Sequence, residues 1–280
     1  MKPRPPTGRR LADLLVKIWA VVSALLGIGI LLWILSVVVI RGAGALDLNF
    51  FTQLPTPPGM SGGGLANAIV GTIAMTVAAT LISVPIGLLS GVYLAEFGQE
   101  SRMADQSRFS ANVLMGMPSI IVGLFAYALV VRPLGHFSGY AGVVALAILM
   151  IPVVTRTTED MLRLVPNTLR ESALALGAPR WKVTVQVVFR AAKSGLITGI
   201  LLAVARVSGE TAPLLFTALD SPYWFHSLSG PTPNLTVTIF NYAMSPYDDW
   251  VRLAWGASLV ITVGVLAFTL MARFILRTRT

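Results

Sequence analysis

A chain of 280 residues with 55% hydrophobic and 12% charged side chains carries about half the charge usual in a soluble domain. A mean hydropathy of +0.77, with no charged residue between Asp47 and Glu96, makes it an integral membrane protein and excludes a soluble globular one. The net charge of +9 does not indicate nucleic acid, because the basic residues gather at the ends of apolar runs without aromatic interleaving, and the absence of cysteine excludes disulfides and thiolate chemistry.

Residues 1–17 hold Lys2, Arg4, Arg9, Arg10 and Lys17 and read as a cytoplasmic tail. The uncharged run 18–40 is long enough to span a bilayer with some tilt. Ala43-Gly44-Ala45 mimics a signal-peptidase site, but the run exceeds a cleavable apolar core of about 7–15 residues and is closed by Arg41, so it reads as the first transmembrane helix. Residues 41–65 are rich in proline and glycine and read as an external loop. Its Gly62-Gly63-Gly64 run is expected to be a flexible lead-in, since no Gly-Lys dipeptide follows to make a Walker A phosphate loop.

Further spans are expected at about 66–95, 112–131, 139–155, 194–220 and 253–274. The middle four contain Pro85, Pro118, Pro152 and Pro213, whereas the first and sixth contain none, which suggests an inner set and two peripheral helices. Of the 21 lysines and arginines, only Arg41, Arg132 and Arg252 fall in the outer segments and only Arg206 within a span. The rest lie in the tail, in 96–111, in 156–193 and after Phe274 or just before it, which puts both termini in the cytoplasm.

Within 194–220, Arg206 and Glu210 are the charges at expected bilayer depth, and such charges cost about 2.5–3.5 kcal/mol each on insertion scales. Four residues apart, they share a face if the helix continues. Gly209 and Pro213 interrupt it, and broken helices border cavities or protein interfaces rather than lipid. Two readings stand: a structural ion pair, or a polar station on a transport path that would include Ser208 and Thr211.

Residues 156–193 are too patterned for a disordered loop. After Pro166, Thr168-Leu-Arg-Glu171 has the form of a capping box and opens a short helix, with Gly177 as its stop and Pro179 beyond. Leu169, Ala173 and Leu176 recur at helical spacing, and a helix this short needs a surface to lie on, either a partner protein or the lipid interface near Arg170, Arg180 and Lys182.

Glu171-Ser-Ala173-x-x-x-Gly177 resembles the coupling loop of binding-protein-dependent ABC importer permeases, with Val187 and Phe189 at later apolar positions and Arg190 where that family usually has proline. The stretch Ala205–Ala218 (ARVSGETAPLLFTA) resembles the A-type permeases of phosphate ABC importers more specifically, as do GGGLANAI at 62–69, Leu94-Ala-Glu96, Ala243-Met-Ser-Pro246 and Leu253-Ala-Trp255. The resemblance runs from about residue 60 to 274.

It implies an all-α, six-span permease of the type I (MetI-like) importer fold in a bacterial cytoplasmic (inner) membrane, with residues 66–274 as the transmembrane domain. It implies that residues 168–180 form the helix coupling an ATPase, with Arg170, Glu171, Ala173 and Gly177 in it. The chain would be a transport subunit and not itself an enzyme. It would bind no cofactor, ATP and magnesium being used by the partner. Implied partners are a homologous C-type permease, an ATP-binding subunit dimer and an external phosphate-binding protein, besides the bilayer. The residues alone leave open another oxyanion, a secondary transporter titrating Glu210, and a membrane scaffold.

Other chemistry is absent from the pattern. His136 and His226 stand on outer segments without HExxH spacing, and Ser229-Gly-Pro lacks a nucleophile elbow. Asp248-Asp249 reads as a cap before span six, and Tyr223, Trp224 and Trp250 as an outer aromatic belt.

Overall fold

The computed structural model describes residues 6–98 and 101–277, and among these the regular elements are all helical. Lys2, Arg4 and Arg279 of the basic ends lie outside the described residues. α1 (Pro6–Ala43) is followed by a short helix, α2 (Leu48–Thr52). α3 (Ala66–Phe97) closes in a π-helical turn. α4 (Arg102–Gly116) and α5 (Ser119–Leu134) follow, then α6 (Gly139–Arg163), α7 (Asn167–Ala175) and α8 (Arg180–Val207). α9 (Ala212–Leu215), α10 (Leu235–Ala243) and α11 (Asp248–Arg277) complete the chain.

Five of these helices, α1, α3, α6, α8 and α11, are long and apolar enough to cross a membrane, and the α4–α5 pair, bent by 105°, makes a sixth when counted as one broken span. The expected span over 112–131 is thus not one continuous helix: it is split between the end of α4 and most of α5. Met117 precedes Pro118 and is driven to an extended conformation (φ −71°, ψ 138°), which ends α4 and redirects the chain. The polar α4 carries Arg102, Asp105 and Arg108, and only α5 is apolar throughout its first turns.

α6 is the central element, with two thirds of its apolar window buried. Its neighbours approach through glycines. A Cβ on Gly87 or Gly91 of α3 would lie 2.6 and 2.5 Å from Val154 and Thr158 Cβ atoms, and Gly195 and Gly199 of α8 abut Met161 and Thr157. Both pairs have the four-residue spacing that lets helix backbones approach closely in membranes. Met75, Ala79, Leu146, Met150, Ala203 and Val207 fill the space between the three helices.

Proline content does not sort inner from outer helices as the sequence suggests. Proline-free α11 is buried to the same extent as α8, whereas the apolar window of α1 is not buried at all. α1 is held at its C-terminal end, where Gly42 meets Leu259 and the Arg41 guanidinium lies 5.1 Å from the Trp255 ring centroid.

The Gly62–Gly64 run is a packed turn rather than a flexible lead-in. Gly62 and Gly63 take φ of +91° and +82°, Gly64 N donates to Leu54 O, and Leu65 N donates to Phe50 O. A side chain at Gly64 would strike the carbonyls of Asn49 and Phe50, so α2 closes against the start of α3 with Phe50 wholly buried beside Leu65, Tyr242 and Leu253.

Candidate functional site

The expected span over 194–220 is not one helix. α8 begins at Arg180 and stops at Val207, where Gly209 N donates to Arg206 O and Glu210 N to Val207 O in a turn. Pro213 has no N–H to continue the ladder, and the chain restarts as the short α9. Arg206 therefore occupies the last turn of α8, where its charge complements the helix dipole, and Glu210 lies beyond the end.

Their nearest charged atoms, Arg206 Nε and Glu210 Oε1, are 3.9 Å apart, with the side chains 55% and 16% exposed. This is a loose pair across a break, not a shared helical face. Ser208 Oγ donates back to Val204 O and lines a groove of about 510 Å³ with Thr72, Thr76 and Thr80 of α3 and Val260 of α11. Thr211 is half-buried at the start of α9, its carbonyl accepting from Leu214 and Leu215.

Residues far away in sequence fasten this break. Asn234 caps α10 by accepting from Val237 N, and its amide donates to Leu219 O at 2.8 Å, where Leu219 has the left-handed φ of +57°. Thr236 Oγ1 donates to Glu210 O at 3.0 Å, and Asn67 of α3 donates to Ser221 O and Tyr223 O. The returning segment 216–234 also carries Asp220, whose carboxylate accepts from Ser221 N at 2.8 Å beside Thr238 Oγ1 at 3.2 Å. Burial pushes the Asp220 carboxyl up to about 6, against the lowering effect of those hydrogen bonds. None of these residues belongs to a motif of ligand spacing, and the sequence alone assigned no role to Asn67, Asp220, Asn234 or Thr236.

At the other end of the molecule, α7 begins at Asn167, directly after Pro166, without a side-chain cap. The capping box of Thr168 and Glu171 is not formed: Pro166 starts the helix earlier, leaving Thr168 inside it, and Glu171 is exposed. The stop is as expected. Gly177 has φ +82°, its N–H reaches Leu174 O, and Ala178 N bonds Ala173 O in the six-to-one pattern of a left-handed helix end. Leu169, Ala173 and Leu176 do not share one buried face. Ala173 packs inward against the cluster of Ala95, Leu162, Val165, Val183 and Val188, whereas Leu169 is exposed and Leu176 is 89% exposed.

Arg170 is the strongest tether of α7. It donates to Glu96 Oε1 at 2.8 Å and to Leu162 O at 2.6 Å, and also reaches Val165 O. Glu159, not among the candidates from sequence, has no exposed surface yet pairs with Arg108, Arg156 and Arg163 at 2.7, 2.6 and 2.8 Å. Arg156 and Arg163 are three before and four after it, a spacing legible in the sequence, but Arg108 comes from α4. This neutralisation lets α6 run on to Arg163, past the expected end at 155.

The profile of the family described as "Binding-protein-dependent transport system inner membrane component" matches residues 83–279. The chain belongs to that family. It is 48% identical over 267 residues to the phosphate transport system permease protein PstA of Yersinia pestis, a match spanning 95% of this chain and 90% of that one. It is 50% identical over 252 residues to PstA of Haemophilus influenzae, spanning 90% and 89%. PstA 1 of Mycobacterium tuberculosis strain H37Rv is 38% identical over 254 residues, spanning 88% and 81%.

A chain of the MetNI methionine ABC transporter in an inward-facing conformation has the same fold, with a TM-score of 0.64 over 77% of this chain and 96% of that one. At 20% identity that likeness concerns the fold alone. An amino acid ABC transporter chain gives a TM-score of 0.53 at 18% identity, over 75% and 94%. This inner membrane component is thus a multi-pass bacterial membrane protein of the type I importer permease fold, a transport subunit that works within a larger assembly.

Proposed function

We propose that this inner membrane component is the A-type permease of a phosphate importer. The observation that carries the reading is its 45–50% identity, over nine tenths or more of its length, to permeases named for phosphate transport. It forms half of a translocation path with a homologous C-type permease, above an ATP-binding subunit dimer and below an external phosphate-binding protein. Both termini face the cytoplasm. ATP and magnesium are used by the ATPase partner, since this chain has no Gly-Lys phosphate loop.

Arg206 is the anion station. A guanidinium is always charged and presents a planar fork that suits phosphate oxygens. Its side chain is more than half exposed on the isolated subunit, and a charge facing lipid is costly, so it faces the partner permease or water between the two. Glu210, at 3.9 Å, competes for that charge and keeps the passing anion from binding too tightly. Ser208 and Thr211 border the same break.

The α7 segment is the coupling helix, with Arg170 holding it to the spans, Ala173 seating it and Gly177 turning the chain away. Leu169, Leu174 and Leu176 are left exposed for the ATPase, and Glu171 stands among them.

Proteoliposomes containing both permeases, the ATPase and the binding protein test the assignment. ATP-dependent uptake of labelled phosphate, with sulfate and molybdate not accumulated, is the expected result. Uptake driven by a proton gradient without ATP would overturn it.

A further inference from the structure

Arg108 and Arg170 grip the same two helix ends from two different elements. Arg108, on α4, donates to Leu94 O of α3 at 2.9 Å and to Glu159 of α6 at 2.7 Å. Arg170, on α7, donates to Glu96 of α3 at 2.8 Å and to Leu162 O of α6 at 2.6 Å. Glu159 stands three residues before Leu162 and is wholly buried. Of the three arginines paired with it, Arg156 and Arg163 belong to its own helix, so Arg108 alone ties it to another element.

α4 does not end in isolation. It turns through 105° at Met117–Pro118 into α5, where a Cβ on Gly123 would lie 2.7 Å from Pro213 Cα. α5 is therefore seated backbone to backbone on α9, three residues past Glu210. A continuous chain of contacts runs from the coupling segment to the break that carries Arg206.

The geometry points to Arg108 and Glu159 as positioning residues that join α4 to the coupling segment as one body, so that movement of α7 reaches the Arg206–Glu210 break through the bend at 117–118. A buried charge cluster is a poor source of net stability but fixes one arrangement strongly, because any displaced member is left unpaired. This inference rests on the reading of the chain as an importer permease with α7 docked on the ATPase.

Two measurements on the assembled complex test it. In the cysteine-free chain, spin labels at Gln106→Cys and Thr168→Cys should report one distance with and without bound ATP, and Arg108→Gln should make that distance change with nucleotide. A nucleotide-dependent distance in the otherwise unaltered chain would overturn the inference. In proteoliposomes, Arg108→Gln should lower phosphate taken up per ATP hydrolysed by about ten-fold, and Arg108→Lys should restore part of it. Binding-protein-stimulated ATPase should stay within about two-fold. Parallel loss of uptake, ATPase and melting temperature would mean a merely structural role and sink the inference. If the unaltered complex moves no phosphate, the substrate assignment fails, while the spin-label distances still decide the joint.

Discussion

The Arg206 guanidinium and the Glu210 carboxylate stand 3.9 Å apart across the end of α8, the arginine more than half exposed and the glutamate mostly covered. A pair so loose contributes about 1 kcal/mol or less. Arg206→Gln should therefore leave the complex assembled with its melting temperature nearly unchanged, yet abolish phosphate uptake. Adding Glu210→Gln should not restore it. Glu210→Gln alone should retain transport with slower release of the anion, and Arg206→Lys should be partial, keeping charge without the fork. Recovery of uptake in a well-expressed double variant would reduce the pair to a structural one.

Asp220 predicts a pH dependence of stability. Its carboxyl, ordinarily near 3.8, is pushed up to about 6 by burial, so the folded state holds the proton where the unfolded chain has lost it. The sign follows. Stability from the protonated form is complete below about pH 4, falls as pH rises, and is gone above about pH 6, a loss of up to about 3 kcal/mol. Asp220→Asn mimics the protonated carboxyl beside Thr238 and Ser221. The melting temperature of this variant, relative to the unaltered chain, should rise between pH 4 and pH 6 and level off above. A difference that is flat across that range would contradict the burial argument.

The membrane class, the long spans and the left-handed stop at Gly177 were legible in the sequence because each is local: an uncharged run, or a glycine after a short helix. The break after Val207 was half legible. Gly209 and Pro213 announced an interruption, but where α8 begins depended on Arg190 and Lys193 being solvated at its foot, which hydropathy alone reads as a loop. The bend at Met117 was missed because a single proline either kinks a span or ends it, and the packing of Gly123 on Pro213 decides. Glu159 was illegible as a buried hub. Its same-helix partners follow from spacing, whereas Arg108 is brought to it only by the tertiary arrangement of α4.

Topology is checked by single cysteines in a chain that has none. Ser61→Cys and Ser229→Cys should react with an impermeant thiol reagent applied to intact cells, after access through the outer membrane. Ser101→Cys and Thr168→Cys should react only once the inner membrane is permeabilised. The four positions are exposed or partly so in the isolated subunit, so burial within this chain does not silence them. Labelling of Thr168→Cys in intact cells would reverse the orientation and remove α7 from the ATPase side.

Gly177 separates backbone conformation from packing. Its φ is +82°, and a Cβ there would meet nothing within 4 Å, so substitution strains the chain without a clash. The left-handed region costs an ordinary L residue about 1–2 kcal/mol, a β-branched one more, and asparagine least. Gly177→Asn, Gly177→Ala and Gly177→Val should therefore form a graded series. The spans are held by α6 and its glycine contacts rather than by this turn, so membrane insertion should survive throughout. What changes is the exit of the chain after α7, and with it the set of Leu174, Leu176 and Trp181 on the exposed surface. Co-purification of the ATPase and uptake per ATP should fall in the order asparagine, alanine, valine, with valine losing most of both. Full ATPase recovery and normal uptake with Gly177→Val would show that the left-handed stop is not needed for docking, and that α7 engages its partner through some other feature than the turn that ends it.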